Sequence, residues 1–343
     1  MSDSPITQRK QDHIDWLLQD EKIERQQAGF DQIQLTHRGL PECDYAQVDS
    51  GTTFLQHSLS FPLLISSMTG GASNALNTIN ENLARAAEHC QVAMAVGSQR
   101  TMILDRKAEK SFQLRQFAPT VPLIANMGAI QLNYGFGYDE AQRMVEVLEA
   151  DALYLHLNPL QEVIQPEGDT NFAKLAEKIA HLKNRLSVPI ILKEVGCGLS
   201  EKDIQLGLDA GIEWFDLAGR GGTSWSRIEA HRTEDSQQAE LGKMFQDWGL
   251  TTPQALKQAR PFQSQAQFIA SGGIRNGIDM VKSVIMGAQI CGVAAPLLKP
   301  AMASTNATIG TIEQLQQEFR TAQFLLGMPK MADLFLNDSL IVP

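Results

Sequence analysis

A glycine turn near the carboxyl end of the chain has the residue types and spacing that bind a phosphate group. An apolar run at 268–270 breaks into Ser271-Gly272-Gly273-Ile274-Arg275, a helix-like segment follows at 276–287, and a second apolar run at 290–295 ends in small residues. Paired glycines let backbone N–H groups approach a ligand that a Cβ would exclude, and the helix that follows directs its positive end to the same point. The spacing predicts a βαβ unit that holds a phosphate.

Polar and charged side chains also follow other apolar runs, where parallel strands would end. They stand in Ser66-Ser67-Met68-Thr69-Gly70-Gly71, Gly97-Ser98-Gln99-Arg100, Asn126-Met127-Gly128, His156 with Asn158, Gln161 and Glu162, Lys193-Glu194, and 219–225. Each has an ordinary structural explanation by itself, such as helix capping, a turn or core filling. Because the ends of parallel barrel strands meet at one rim, the set together predicts a polar active site.

The scaffold expected for these residues repeats a short apolar strand and an amphipathic helix. The strands are predicted at 62–68, 92–98, 123–127, 153–158, 189–195, 214–218, 268–271 and 290–294, and the helices at 75–90, 108–117, 139–149, 171–186, 201–210, 253–260 and 277–286. Strands linked by helices run parallel, and buried parallel strands read as continuous apolar runs. Eight such units predict an α/β fold, a closed (β/α)8 TIM barrel, with a doubly wound open sheet as the alternative.

Two segments lie outside the repeat, and we expect residues 1–343 to form a single barrel domain that includes both. Residues 1–60 read as a polar, helix-prone N-terminal extension. Residues 225–250, an insertion after the sixth strand, are rich in charge, which is typical of a lid or an oligomer contact. A closing helix is predicted at 311–326, because its apolar residues recur at spacings of three and four.

Composition limits the kind of ligand and partner. The chain has 343 residues, 29 basic and 39 acidic, for a net charge of −10, which argues against a nucleic-acid or anionic-membrane surface. The four cysteines are widely separated and form no CxxC pair, so neither a zinc site nor a disulfide framework is indicated. The sequence shows no signal-peptide pattern and no run of 18 apolar residues. We expect a soluble, cytoplasmic protein with a small-molecule ligand.

In their order and spacing, the motifs resemble those of the type 2 isopentenyl-diphosphate isomerases, which depend on FMN. The resemblance covers nearly the whole chain and includes Arg9-Lys10 with His13, 66–71, 97–100, 125–128, 156–162, 193–196, 219–225 and the glycine turn. It implies interconversion of isopentenyl and dimethylallyl diphosphate, with FMN kept reduced by NADPH or NADH and with Mg²⁺ on the diphosphate. It also implies a homo-oligomer, either a tetramer or an octamer.

The resemblance assigns roles position by position. FMN contacts fall on Ser67, Met68, Thr69, Ser98, Asn126, Lys193 and Thr223, with the cofactor phosphate on Gly273, Ile274, Arg275, Ala294 and Ala295. Substrate contacts fall on Arg9, Lys10, Ser98, Gln99, Arg100, His156, Asn158 and Gln161. The catalytic set is Gln161, Glu162 and His156, with Glu162 as the metal ligand. One carboxylate is enough, because Mg²⁺ commonly completes its coordination with substrate phosphate oxygens and water.

The reaction adds a proton at C4 of the substrate and removes one from C2. An unactivated alkene is a poor base, so the site must be dry and must stabilise cationic character at C3. We expect reduced flavin N5 to be the principal acid and base, while Gln161 and Glu162 orient the reactants, relay protons or hold the metal. Lys193 would stabilise the anionic reduced flavin.

Other interpretations of single residues stay open at the level of sequence. Lys193 could pair with Glu194, Arg275 could be a surface charge, and Trp225 could be either a lid or a packing residue. Arg9 and Lys10 could belong to a solvated tail, and His156 could be a core histidine.

Two other functions compete with the isomerase. FMN-dependent oxidation of a 2-hydroxy acid uses a similar barrel, but those enzymes place a histidine before the glycine pair where this chain has Arg220-Gly221-Gly222. A non-catalytic phosphate-binding barrel would not need the inward pair Gln161-Glu162.

Overall fold

The computed structural model describes residues 5–68 and 73–342, with only the backbone described for 5–9 and 11. In chain order, the elements are α1 (Pro5–Gln19), β1 (Thr52–Phe54), β2 (His57–Leu59), β3 (Leu63–Ile65), α2 (Asn74–Cys90), β4 (Ala93–Ala95), α3 (Arg100–Leu104), β5 (Leu123–Gly128), α4 (Tyr138–Leu148), β6 (Ala152–Leu157), α5 (Pro159–Ile164), α6 (Leu175–Lys183), β7 (Ile190–Glu194), α7 (Glu201–Asp209), β8 (Trp214–Asp216), α8 (Trp225–Arg232), α9 (Ser236–Met244), α10 (Thr252–Ala259), β9 (Gln267–Ser271), α11 (Gly277–Ile285), β10 (Ile290–Val293), α12 (Ala295–Ala303), α13 (Thr305–Leu326) and α14 (Met331–Leu334).

The eight strands β3 to β10 form a closed parallel barrel. The last strand pairs with both the first and the seventh, with Gly292 beside Leu64 and Ser271. This closure confirms the predicted (β/α)8 barrel and excludes the open sheet. Several strands end earlier than predicted, because the polar residues that follow them leave the hydrogen-bonded ladder.

The barrel interior is apolar toward its amino-terminal end and is closed there by a hairpin. Strands β1 and β2 pair antiparallel, and Phe54 and Leu59 pack with barrel residues such as Ile124 and Ile269. The Phe54 ring lies 5.0 Å from that of Trp214 at the start of β8. The polar end of the barrel is therefore the only open end that the described residues leave for a ligand.

The N-terminal extension is helical only in part. α1 is followed by short 3-10 turns and the β1–β2 hairpin, rather than by further α-helix. The insertion after the sixth barrel strand forms α8 and α9, and α8 packs against α1 beside the open end. Tertiary contacts, rather than local propensity, hold α1 there, because Asp20 pairs with Arg227 at 2.6 Å and with His231 at 2.7 Å.

Two helix predictions need correction. The segment 108–117 is not an α-helix but a 3-10 helix, Arg106–Phe112, followed by turns. The chain turns because Phe112 and Leu114 are both buried, and Arg115 donates to the carbonyls of Ala118 and Val121 instead of lying on a helix surface. The closing helix α13 begins at Thr305, six residues before the predicted 311, and Ser304 is its N-cap.

Within the described ranges, no helix combines the length and the apolar character needed to cross a lipid bilayer.

Candidate active site

A cavity of about 800 Å³ opens at the carboxyl ends of the barrel strands. Most of the residues assigned by resemblance line it together, although they come from every part of the chain. Those on its surface are Lys10, Ser67, Met68, Ser98, Arg100, Asn126, His156, Asn158, Gln161, Glu162, Lys193, Thr223, Gly273, Ile274, Arg275, Ala294 and Ala295. The barrel geometry explains this convergence, because parallel strands deliver their ends to one rim.

Three assigned residues are not placed on the cavity. Gln99 is fully buried in the barrel wall. Its side-chain NH₂ group donates to the carbonyl of Met144, and its side-chain oxygen accepts from the backbone N–H of Asn126. Gln99 therefore stabilises β5 from within the barrel wall, and its side chain does not line the cavity. Thr69 and the side chain of Arg9 lie outside the described residues.

The glycine turn adopts a conformation that other residues would resist. Gly272 and Gly273 have φ values of 96° and 80°, in the left-handed region. A Cβ on Gly272 would lie 1.9 Å from the carbonyl oxygen of Gly219, and one on Gly273 would lie 2.5 Å from the Cβ of Ala28. The turn is therefore pressed against two neighbouring segments with its backbone exposed to the cavity.

A helix N-terminus faces the same part of the cavity. α12 begins at Ala295, and its cap residue Ala294 offers no side-chain hydrogen bond to the first turn. The unpaired N–H groups of such an end attract an anion. The backbone N–H of Arg275 is already bonded to Asp279 at 3.2 Å, so Arg275 reaches the cavity with its guanidinium rather than its amide.

Four consecutive strands place a buried polar cluster at the base of the cavity. Lys193 Nζ lies 2.9 Å from Asp216 Oδ2 and 3.3 Å from Ser271 Oγ. The Asp216 carboxylate also accepts from Tyr154 Oη at 2.8 Å and from Ser271 Oγ at 2.5 Å. Burial and the nearby Asp216 raise the pKa of Tyr154 well above its usual value, so the phenol stays a donor.

The cluster excludes the interpretation in which Lys193 pairs with Glu194, and the role of Lys193 toward the flavin stays a prediction. Its partner is Asp216, not the neighbouring Glu194, whose side chain accepts the backbone N–H groups of residues 195–198 instead. Adjacent strand residues point to opposite faces, so Glu194 turns away from the side where Lys193 lies. Burial raises the pKa of Glu194 to about 7, against the lowering effect of those four N–H groups.

A second network fixes His156. Asn126 donates its amide to the carbonyl of Val96 at 3.0 Å and to Ser67 Oγ at 2.9 Å, which identifies its Oδ1 as the acceptor. His156 Nδ1 lies 2.7 Å from that oxygen and therefore carries a proton. The imidazole is thus oriented by the strand next to it, and a hydrogen bond from Nε2 to an anion would require the protonated ring.

Gln161 is held by a residue of the insertion. Its amide donates to Glu229 Oε1 at 2.9 Å, and its oxygen accepts from Asn158 at 3.2 Å. Glu229 is fully buried and also contacts His13 at 3.0 Å and Arg232 at 2.5 Å. Burial opposes ionisation of Glu229, but the hydrogen bond from His13 and the charges of His13 and Arg232 outweigh it and lower its pKa to about 2.

Glu162 lies beside this arrangement. One of its oxygens accepts from Asn158 at 2.7 Å, and the other accepts the backbone N–H of Asp169 at 2.7 Å. The Asp169 carboxylate in turn pairs with Arg100 at 3.1 Å. In the part of the chain that the structure describes, no group of three or more His, Cys, Asp or Glu side chains could hold a metal. The assignment of Glu162 to Mg²⁺ stays a prediction.

Arg25 joins the loops that surround the cavity. Its guanidinium is buried and donates to the carbonyls of Gly196, Gly222, Thr223 and Gln246 at 2.8–3.0 Å. These carbonyls belong to the exits of two barrel strands and to the insertion. The N-terminal extension thus ties together segments that approach one another only in the folded chain.

Replacement of Arg25 by lysine is expected to lower the free energy of unfolding by about 1–3 kcal/mol, because an ammonium has fewer donors and leaves buried carbonyls without one. Urea denaturation of the flavin-free protein measures the change. The control is Arg85→Lys, at an exposed pair with Glu81, for which we expect less than about 0.5 kcal/mol. Equal losses in the two variants would show that Arg25 does not act through these carbonyls.

Several residues of the site escape prediction from sequence. The sequence patterns give no role to Glu24, Arg25, Asp216 or Glu229, although each of them contacts a residue with an assigned role. Asp216 alone carried a local signal, since it is a carboxylate within the apolar run at 214–218. The others stand in polar, helix-prone segments, where a charge is unremarkable.

Comparison with known proteins agrees with this architecture. The model of the FMN-dependent dehydrogenase family matches residues 6–122 and 143–342. Among solved structures, the flavin-binding domain of baker's yeast flavocytochrome b2 has a TM-score of 0.65 at 17% identity, covering 93% of this chain and 78% of that one. A mandelate oxidase mutant with an FMN adduct has a TM-score of 0.63 at 16% identity, covering 91% and 88%. At these identities the likeness concerns the fold alone.

The closed barrel, the glycine turn and the family match define the chain as an FMN-dependent barrel enzyme. The isopentenyl-diphosphate delta-isomerase of Paracoccus zeaxanthinifaciens is 57% identical over 343 residues, covering 99% of this chain and 98% of that one. The protein of the same name from Nostoc sp. is 44% identical over 341 residues, covering 99% and 97%. The chain therefore belongs to the family of FMN-dependent isopentenyl-diphosphate delta-isomerases.

Proposed function

We propose that this enzyme interconverts isopentenyl and dimethylallyl diphosphate with reduced FMN and Mg²⁺, and that NADPH or NADH supplies the reducing electrons. The observation that carries the proposal is the position of Gln161. Its amide is oriented at both ends, by Glu229 and Asn158, and it lies beside Glu162 on the same cavity as the glycine turn. A hydroxy-acid oxidase or a passive phosphate-binding barrel gives no reason for this pair.

The cavity fits FMN at its inner end. The left-handed glycine turn and the uncapped start of α12 offer N–H groups to a phosphate, and Arg275 and Thr223 lie beside them. Lys193, held by Asp216, places a cation at the base. Ser67, Met68, Ser98 and Asn126 complete the wall on the opposite strands. When bound and reduced, FMN would supply an electron-rich ring and a proton donor and acceptor at N5.

The substrate diphosphate is assigned to the outer part of the cavity. The residues assigned to it, Lys10, Ser98, Arg100, His156 and Asn158, all line the cavity. Lys10 Nζ already contacts the Ser98 carbonyl at 2.7 Å, so α1 brings a cation to the strand that ends at Ser98. Glu162 would hold Mg²⁺ together with oxygens of the diphosphate, which is the coordination this ion favours. Arg100 contributes a planar set of donors suited to phosphate oxygens.

The remaining roles belong to Gln161, Glu162 and Trp225. The Gln161 amide is neutral, and its NH₂ group donates to Glu229. Its proposed role is therefore to orient the isoprene carbons. Glu162 would hold the metal or relay a proton with its own carboxylate, which the amide of Asn158 orients by donating to it. Trp225 lines the cavity, and its ring lies edge to face with that of His13 at a centroid distance of 5.2 Å. There it would exclude water from the part of the cavity that holds the isoprene group.

The test is an anaerobic assay of the purified enzyme with FMN, Mg²⁺ and NADPH. Dimethylallyl diphosphate is expected to form from isopentenyl diphosphate without stoichiometric consumption of nicotinamide. Reconstitution with pre-reduced 5-deaza-FMN is expected to abolish the reaction, and full activity would remove flavin N5 from proton transfer. Chelation of Mg²⁺ is expected to stop turnover reversibly while leaving FMN bound.

The competing oxidase is tested with the same preparation. Anaerobic mixing of the oxidised enzyme with lactate or glycolate should leave the yellow colour of the flavin unchanged. Bleaching by either acid would favour the hydroxy-acid oxidase and count against the isomerase.

The proposal extends to the cell and the assembly. All four cysteines are free, which suits a reducing cytoplasm. A homo-tetramer or homo-octamer is proposed, with the insertion 225–250 as a lid or a subunit contact. Light scattering coupled to gel filtration measures the mass and would detect a monomer.

A further inference from the structure

The carboxylate of Glu24 bridges two residues assigned to the cofactor. Glu24 Oε2 lies 2.5 Å from Arg275 Nη2, and Glu24 Oε1 accepts a short hydrogen bond from Thr223 Oγ1. Glu24 itself lines the cavity. It comes from the N-terminal extension, whereas its two partners come from the loops after β8 and β9.

The main chain holds Glu24 in a fixed position. Glu24 and Thr223 form an antiparallel bridge, and the neighbouring amide of Arg25 donates to the Gly222 carbonyl at 3.1 Å. On the other side, the amide of Ser224 donates to the Ile23 carbonyl at 2.8 Å. The Glu24 carboxylate therefore extends from a fixed backbone position toward Arg275, the more exposed side chain of the two.

The two contacts have different chemical consequences. A carboxylate only accepts, so Thr223 must donate its hydroxyl proton to Glu24 and can offer only lone pairs to a ligand. The Arg275 side chain is about one-third exposed and would lose considerable rotamer freedom on binding a phosphate by itself. Pairing with Glu24 meets part of that entropy cost before the ligand arrives. The other contacts of the guanidinium, with the carbonyls of Ile274 and Gly221, are long at 3.4 Å and can be exchanged for contacts with a phosphate.

We propose that Glu24 is a positioning residue of the cofactor-phosphate site, which holds the Arg275 guanidinium at the glycine turn and makes Thr223 a hydrogen-bond acceptor. The inference rests on the proposed placement of the FMN phosphate at this turn. The charge of Glu24 repels a phosphate, so its orienting effect must exceed that repulsion. The sign of the change when Glu24 is neutralised therefore tests the role.

The experiment compares FMN with riboflavin, which lacks the phosphate, on the flavin-free protein by fluorescence titration. Glu24→Gln is expected to raise the Kd for FMN about 10-fold and that for riboflavin less than about 2-fold. The matched control is Asp31→Asn, an exposed carboxylate in the same extension, with an unchanged Kd. Tighter FMN binding in Glu24→Gln would overturn the proposal, as would equal losses for FMN and riboflavin.

A double-mutant cycle tests whether Glu24 acts through Arg275. In an Arg275→Met background, Glu24→Gln is expected to change the Kd for FMN less than about 2-fold. Additive losses, or an Arg275→Met variant that binds FMN like the wild type, would overturn the inference. Thermal unfolding of each flavin-free variant excludes misfolding, and Glu24→Asp is expected to restore part of the affinity. Flavin binding does not require an isoprenoid substrate. Failure of the isomerase assay would therefore contradict the proposed function without affecting the measured role of Glu24 in FMN binding.

Discussion

Lys193→Met is expected to lower the free energy of unfolding by about 3–5 kcal/mol, because it leaves the Asp216 charge buried without its cation. Asp216 has no solvent exposure, and its remaining donors, Tyr154 and Ser271, are neutral hydroxyls. Denaturant unfolding of the flavin-free protein measures the loss. Wild-type stability in this variant would contradict a charged pair at the base of the barrel.

The variant Lys193→Met/Asp216→Asn separates the structural effect from the electronic one. Removing both charges is expected to recover most of the stability, since the buried carboxylate is then replaced by a neutral amide. The reduced flavin should nevertheless lose the cation that stabilises its anion, and the midpoint potential of bound FMN should fall. A double variant with a wild-type potential would show that Lys193 serves only the fold.

Glu229→Gln is expected to reduce turnover about 100-fold with little change in FMN affinity, because one amide oxygen then replaces the two carboxylate oxygens that serve Gln161, His13 and Arg232, and the Gln161 amide is held less firmly. The control is Glu167→Gln, which removes a half-exposed carboxylate that also pairs with Arg232 and should change turnover less than about 2-fold. Gln161→Ala is expected to lower turnover as much, again without loss of FMN. If Glu229 acts through Gln161, the double variant will be no slower than Gln161→Ala; additive losses would exclude this coupling.

Glu229→Gln is also expected to change the free energy of unfolding by an amount that depends on pH. The pKa of Glu229 is lowered from 4.5 to about 2 in the folded protein, so its ionised form stabilises the fold above pH 4.5. That contribution is on the order of 3 kcal/mol and disappears as the pH falls from 4.5 toward 2. The stability difference between wild type and Glu229→Gln should therefore be largest near neutrality and narrow in acid. A gap that widened in acid would contradict the assigned charge state.

Local pattern was sufficient for the barrel. Continuous apolar runs such as Pro189-Ile190-Ile191-Leu192 are unfavourable on a surface exposed to water, so they form strands that are buried on both faces. Eight such strands, separated by amphipathic helices, form the closed parallel sheet. The same logic located the rim residues, because strand ends in a barrel converge. It failed at 108–117, where Phe112 and Leu114 are buried together and the backbone must leave the helix.

Local sequence was enough to predict the barrel, the glycine turn and the polar residues that end its strands, since each of these depends on a few consecutive positions. The contacts that hold those residues in place depend on the packing of distant segments. Lys193 meets Asp216 across 23 positions, Gln161 meets Glu229 across 68, and Arg275 meets Glu24 across 251. Helical or strand periodicity says nothing about partners so far apart, because the pairing depends on how the extension and the insertion pack over the open end of the barrel.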